Sequence, residues 1–472
     1  MSSLETYSVN LNNYLDQSLS YLRQPITRLE AQKSDLEIKS AIFSDLSTKL
    51  QALEDVLDGL CGTGTSSVLR LKTATSSDES LVTAVATGIA APGAHTVFVT
   101  QLAKAHSVVS NRYDQGSTSL SQAQSGTKTF SISVGDETYD VSVTISAGES
   151  DQTVLSNIAS AINDATGGEV VASSIMDTPT TCKLSIRSGS SGTAGKMTFT
   201  DTDGLLGALG VTNASQATDT VGGYIYADLG SNELDALLTI DGINVISSTN
   251  VIDNALGGLS ITLLGEQELG ETPVTITVSV DVESIKSEIQ EFLTAYNEAF
   301  AYLVEKTRVD SATYERGLLA GDFPYVSLRS SMRQKMSVYV GDSSFDYHAL
   351  SQIGITSSRS GTFTISDESL LEEVISSDPD ALENLFGATG GVAVELEELI
   401  SGYTGAVGTI STSRDAISSR IKLIDDRIER QEKYVELREK DLRRQYAALQ
   451  EALYTLEMTE QVTASFSSLL GL

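Results

Sequence analysis

Apolar residues step through the first sixty positions in threes and fours: Leu15, Leu19, Leu22, Ile26 and Leu29, then Leu36, Phe43, Leu50 and Leu57. Lys33, Ser40, Ser47 and Glu54 fill weaker slots of the same register. This is a heptad seam with breaks, the pattern of an amphipathic helix that packs along a partner helix. Pro25 falls inside it. A residue without an N–H, whose ring collides with the preceding turn, predicts a kink or a helix start near Gln24 rather than one unbroken rod. The segment closes on the glycines and small polar residues of Cys61-Gly-Thr-Gly-Thr-Ser-Ser.

The other end of the chain repeats the pattern more strictly. Ile417, Ile421, Ile424, Ile428, Val435, Leu442, Leu449 and Leu456 fall on one four-three register, with Gln431, Arg438, Gln445 and Ala452 at the weaker slots. No proline or glycine interrupts Arg414 to Ser468. A helix of ~50 residues is roughly 75 Å long, more than a small domain is wide, so neither stripe is expected to find cover inside a single globule.

Between the ends, short Val/Ile/Thr/Phe runs alternate with Gly, Asp, Asn and Ser clusters, as in Thr96–Thr100, Phe130–Val134, Tyr139–Ile145, Leu237–Ile240 and Val274–Val280. Alternation predicts half-buried antiparallel strands. A helix is expected over Thr153–Asp164, where Val154, Ile158, Ala161 and Ile162 share a face. Helical periodicity returns through Ile285, Ile289, Phe292, Leu293, Tyr296 and Phe300, followed by a strand at Gly361–Ile365 and a helix at Glu368–Ser376 that Asp378-Pro379 stops.

The fold class expected is multidomain α+β. Terminal helices pair as a coiled-coil or helical-bundle leg, antiparallel β domains loop out in the middle, and a mixed α/β domain stands next to the leg. The divisions expected are 1–64 and 411–472 for the leg, 65–117 with 222–281 for a β plate, 118–221 for an inserted outer β domain, and 282–410 for the mixed domain.

Charge sharpens this division. The net charge is −32. Residues 61–410 carry 16 Lys+Arg against 43 Asp+Glu, while 11–60 and 411–472 together carry 15 against 19. An acidic centre repels nucleic acid and anionic membranes, and balanced dense charge at the ends suits interhelical pairing. No apolar run reaches the length of a membrane span, and the first thirty residues lack the basic start and apolar stretch of a cleaved secretory signal. Cys61 and Cys182 are far apart, and His95, His106 and His348 are isolated, so neither a disulfide framework nor a metal site is expected. Thr200-Asp-Thr-Asp-Gly204 lacks the twelfth-position acid of a calcium loop, and Gly189-Ser-Ser-Gly192 lacks the context of a nucleophile elbow. Catalytic, cofactor-binding and metal-ligating residues are expected to be absent.

Several segments, in order, resemble the flagellar filament capping proteins, also called hook-associated protein 2. Leu22–Lys33 is similar to the family's first helix, and Ala91–His106 to its glycine-led strand with a V-T-Q-L-A signature. Asp151–Thr212 resembles the insertion motif shared by flagellins and hook-associated proteins. Ile240-Asp-Gly-Ile-Asn-Val and Asn250–Leu264 are similar to its hairpin. Phe292–Asn297, Gly321-Asp322, Ile353–Thr356 and Asp378-Pro to Leu385-Phe386 continue in the expected order. Tyr7–Asn13 stands where a glycine-rich leader is usual.

The resemblance implies a non-enzymatic, extracellular subunit at the flagellum tip, exported by the flagellar type III route without a cleaved signal peptide. It would promote folding and polymerisation of flagellin and prevent its loss. The partners implied are further copies of itself in a ring of about five subunits, flagellin, hook-associated junction proteins and an export chaperone. Leu15, Leu19, Leu22, Ile26, Leu29, Leu36, Phe43, Leu50, Ile417, Ile421, Ile424, Ile428, Val435, Leu442, Leu449 and Leu456 are the expected oligomer or filament interface. Alternatives are a hook–filament junction protein or flagellin, an adhesin binding mucin or glycan through the outer β domains, and a phage fibre or other coiled-coil shaft.

Overall fold

A computed structural model describes residues 3–64, 67–216, 218–226, 232–310, 313–340 and 346–470. They fall into two compact units: one takes the two ends of the chain, up to Thr63 and from Ile285 onward, and the other takes Arg70–Ser284.

The chain opens with α1 (Ser3–Cys61), a single helix with Pro25 inside it. The break expected at Gln24 does not occur. Pro25 and Tyr21 both lie on the exposed side, so the Tyr21 carbonyl that proline leaves without an N–H is open to water and the helix runs on.

The middle unit contains β1 (Lys72–Ser76), β2 (Val82–Ala86), β3 (Gly93–Gln101), β4 (Ala105–Val109), β5 (Tyr113–Asp114), α2 (Ser119–Gln124), β6 (Gly126–Val134), β7 (Glu137–Ile145) and α3 (Asp151–Thr166). It continues through β8 (Val170–Thr178), β9 (Thr181–Ser191), β10 (Met197–Asp201), α4 (Leu205–Ala208), β11 (Gly223–Tyr226), β12 (Ala236–Ile240), β13 (Ile243–Ser247), β14 (Val251–Leu256), β15 (Leu259–Leu263) and β16 (Val274–Val280). These strands form two lobes. In the first, a sheet of order β1-β16-β3-β12-β13 faces a smaller one of order β14-β15-β2, and Val97, Val99, Leu238, Ile261, Ile276 and Val278 fill the space between. β16 shows the cause: Val274, Ile276 and Val278 point inward while Thr275 and Thr277 do not. Asp241 and Gly242, both at positive φ, make the two-residue hairpin turn between β12 and β13.

The second lobe has its own core, with α3 packed against β7, β8 and β9. Ser150 caps α3 by accepting from the Thr153 N–H, and Gly167 ends it at φ 59°. Leu155 and Ala159 complete its buried face, while Ala161 is only half-buried. β4 and β11, which the sequence places in the plate, hydrogen-bond in this lobe's sheet through β9 and each other.

The terminal unit adds α5 (Val282–Thr307), α6 (Phe323–Lys335), β17 (Ile355–Ser357), β18 (Phe363–Ile365), α7 (Glu368–Ser377), α8 (Pro379–Phe386), α9 (Val392–Thr404) and α10 (Thr409–Leu470). Asp378-Pro379 stops α7 and also starts α8: the proline sits in its first turn and the Asp378 carboxylate accepts from the Ala381 N–H. Tyr296 is fully buried, stacked on Phe300 and edge-on to Phe363. Leu46, Leu50, Leu53, Leu57 and Leu60 of α1 are buried in the same unit, none of them solvent-accessible, where α1 packs against α8 and α9. The expectation that the α1 stripe finds no cover within a globule therefore fails for its second half. A helix longer than the core it enters buries one part and leaves the rest outside.

Candidate functional site

Beyond that core, α1 and α10 lie antiparallel. Arg23 pairs with Glu439 at 3.4 Å and Lys33 with Asp425 at 2.7 Å, so the register descends along one helix as it climbs the other. The Asp425 carboxylate raises the Lys33 ammonium pKa, and Arg443 together with Arg23 lowers that of the Glu439 carboxyl. These groups are exposed, so each pair sets register more than stability.

The sixteen seam positions divide into four groups. Phe43 and Leu50 belong to the terminal unit's own core, at 2% and 0% exposure. Leu15, Leu19, Ile26, Ile417, Ile424 and Val435 are buried, and Leu22, Leu29, Leu36, Ile421, Ile428 and Leu442 are half-buried. Leu449 and Leu456 are exposed, at 47% and 68%. A strict seven-residue repeat slips ~20° per heptad around a straight helix, so over the three heptads from Val435 to Leu456 the stripe turns about 60° away from the partner. Partial burial instead follows Glu439, Leu442, Tyr446 and Leu453. Past Arg444 the chain has no Lys or Arg, and Leu449, Tyr454, Leu456, Met458, Val462 and Phe466 stand open to solvent.

The heptad pattern does not pick out Tyr21 and Tyr434. With Leu22, Leu442, Arg438 and Gln445 they line a groove of about 510 Å³ along the helix pair. Tyr14 and Tyr21, both exposed and seven residues apart, are the signal that could have found this second face.

No cluster of three or more His, Cys, Asp or Glu among the described residues could hold a metal. Asp201 accepts from the Gly207 N–H, and Asp203 from the Thr129 N–H and hydroxyl, which makes Thr200–Gly204 a hydrogen-bonded turn. No described helix is long and apolar enough to cross a membrane.

The motif residues act as surrogate strands. Gln101 donates to the carbonyls of Asn232, Glu233 and Asp235. Asn250 clamps both backbone groups of Ala103, as Asn297 does those of Phe363. Asp241 accepts from the Thr96 N–H and hydrogen-bonds His95 Nδ1, which holds its carboxyl below the usual range.

Fold and site together define a multidomain structural subunit whose chain ends pair as long helices with apolar surface still uncovered. Residues 8–106 match the family model for the flagellar hook-associated protein 2 N-terminus and 234–457 the model for its C-terminus. The chain belongs to the flagellar hook-associated protein 2 family. The core of the second lobe falls between the matched spans. The A-type flagellar hook-associated protein 2 of Pseudomonas aeruginosa is 27% identical over 463 residues, covering 94% of this chain and 92% of that protein. The flagellar hook-associated protein 2 of Aeromonas caviae is 24% identical over 98% of this chain and 97% of its own length. The D1–D3 domains of the flagellar cap protein of Escherichia coli superpose with a TM-score of 0.63 at 23% identity, over 80% of this chain and 99% of that one, a likeness of fold.

Proposed function

We propose that this chain is a structural cap at the distal tip of the flagellar filament, retaining exported flagellin and promoting its folding and polymerisation. The family assignment supports the location. The observation that carries the mechanism is the incomplete seam of the helix pair: Leu449, Leu456, Val462 and Phe466 are apolar, helical and uncovered. In this reading the pair docks on helices of the filament end and of neighbouring copies, in a ring of about five. Each well-buried apolar side chain contributes ~1.5–3 kcal/mol there. Polar slots such as Gln431 and Gln445 keep that contact weak enough to re-form as each flagellin enters. Export through the flagellar type III channel with a chaperone, and contact with the junction proteins, belong to the same proposal.

A strain lacking this chain tests it. Flagellin released as monomer into the medium, with filaments restored by the full-length chain in trans, is the expected result; normal filaments in the deletion strain would sink the proposal.

A further inference from the structure

The two lobes of the middle unit share no apolar core: the buried cluster of the first and that of the second have no residue in common. Hydrogen bonds join them, and several converge on one carboxylate. Asp235, at the start of β12, is 2% exposed. Its Oδ1 accepts from the Thr193 N–H at 2.7 Å and from the Ser248 hydroxyl at 3.0 Å, and the Thr193 hydroxyl reaches both carboxylate oxygens at 3.0 Å. Thr193 comes from the second lobe, in the turn Ser191–Gly195 that follows β9, whereas Asp235 and Ser248 flank β12 and β13 of the first. The same turn donates from the Ser191 hydroxyl to the Ser248 carbonyl at 2.7 Å and from the Gly192 N–H to the Lys104 carbonyl at 3.0 Å.

The approach is close enough to exclude a side chain. Gly192 has φ +71°, and a Cβ there would come within 2.3 Å of the Ser248 Cα. A buried carboxylate is costly unless its oxygens are satisfied, and here donors from the opposite lobe and from Ser248 satisfy them. We propose that the Ser191–Gly195 turn seated on Asp235 and Ser248 is a latch: a polar lock that fixes the two lobes in one orientation and opens while both cores stay folded. Two separate cores joined by hydrogen bonds can part at the junction without either core losing its packing.

Hydrogen exchange on the full-length chain, read by mass spectrometry, tests the latch. Asp235→Ala is expected to reduce protection of the Thr193 and Gly192 amides at least tenfold while peptides from β6–β7 and from β3 and β16 keep theirs. Asp235→Asn, which retains an acceptor oxygen, is expected to restore most of that protection. Thr193→Val is a milder second variant, because it removes the hydroxyl and keeps the N–H, and an intermediate loss confined to the turn is expected. Unchanged protection in the turn, or loss spread equally through the strands of both lobes, would overturn the latch, the second outcome making Asp235 a determinant of folding only.

Discussion

Cys61 stands in the last turn of α1, half-buried, and burial with a hydrogen bond to Glu397 pushes its thiol up to about 12. The thiolate is the nucleophile, so at pH 8 alkylation by iodoacetamide is expected to run ~10³-fold slower than for an ordinary cysteine, becoming fast only after denaturation. Native labelling at the free-thiol rate would contradict the burial. The clamping asparagines make a second prediction. Asn297 satisfies both the N–H and the C=O of Phe363. Removing it with Asn297→Ala leaves two part-buried backbone groups unpaired, at about 1–3 kcal/mol each. Urea unfolding of the variant is expected to show that loss, and a change under ~0.5 kcal/mol would mean water replaces the clamp.

At the scale of the element, the helix pair was legible in the sequence where apolar spacing and burial share a cause, and illegible where they do not. Leu15, Leu19, Ile26, Ile424 and Val435, which the spacing puts on one stripe of each helix, are buried where α1 and α10 run side by side, and Ile417 is buried where α10 enters the core. Periodicity could not show that α1 beyond Ile42 enters a core, since a seam and a core stripe look alike in one dimension. Nor could it show that the α10 stripe turns outward past Leu442, because that depends on how far the pair supercoils. The β strands were legible by alternation; the partner each takes was not, and the two-lobe junction rests on Asp235 and Gly192, residues that carry no periodic signal. Pro25 supplies a test here. Pro25→Ala restores an N–H to the Tyr21 carbonyl in a continuous helix, with up to ~3 kcal/mol of local helix stability. Greater exchange protection from Leu22 to Leu29 is the expected outcome, and reduced protection would show that the proline shapes the pairing. The charges act in the opposite pH directions. Lys33 has a raised folded pKa, so its contribution holds below the unfolded lysine value and fades as pH climbs through the folded one; Glu439, with a lowered pKa, contributes above the unfolded carboxyl range and fades as pH falls. The helix pair is therefore expected to be most protected between about pH 5 and 10, and a profile flat from pH 3 to 7 would remove Glu439 from the account.

For the whole molecule, the terminal unit separates what folds the chain from what docks it. Its core uses α1 beyond Ile42, α5 to α9 and the first turns of α10, where Ile410 and Ile417 are buried. The two ion pairs that join α1 to α10 among the described residues fall at or before Glu439. Residues after Arg444 carry mostly exposed apolar side chains, with Tyr446 and Leu453 half-buried, and three acids with no base, so they add little to that core. A chain ending at Arg444 is expected to unfold within a few degrees of the full-length protein, because the buried clusters are untouched. If the uncovered stripe is the docking surface, that chain fails to retain flagellin in a deletion strain, and flagellin accumulates in the medium. Folding and docking then part cleanly: a large drop in melting temperature would place the segment in the core, and full filament growth from the truncated chain would move the docking surface elsewhere, with the groove beside Tyr21 and Tyr434 the next surface to substitute.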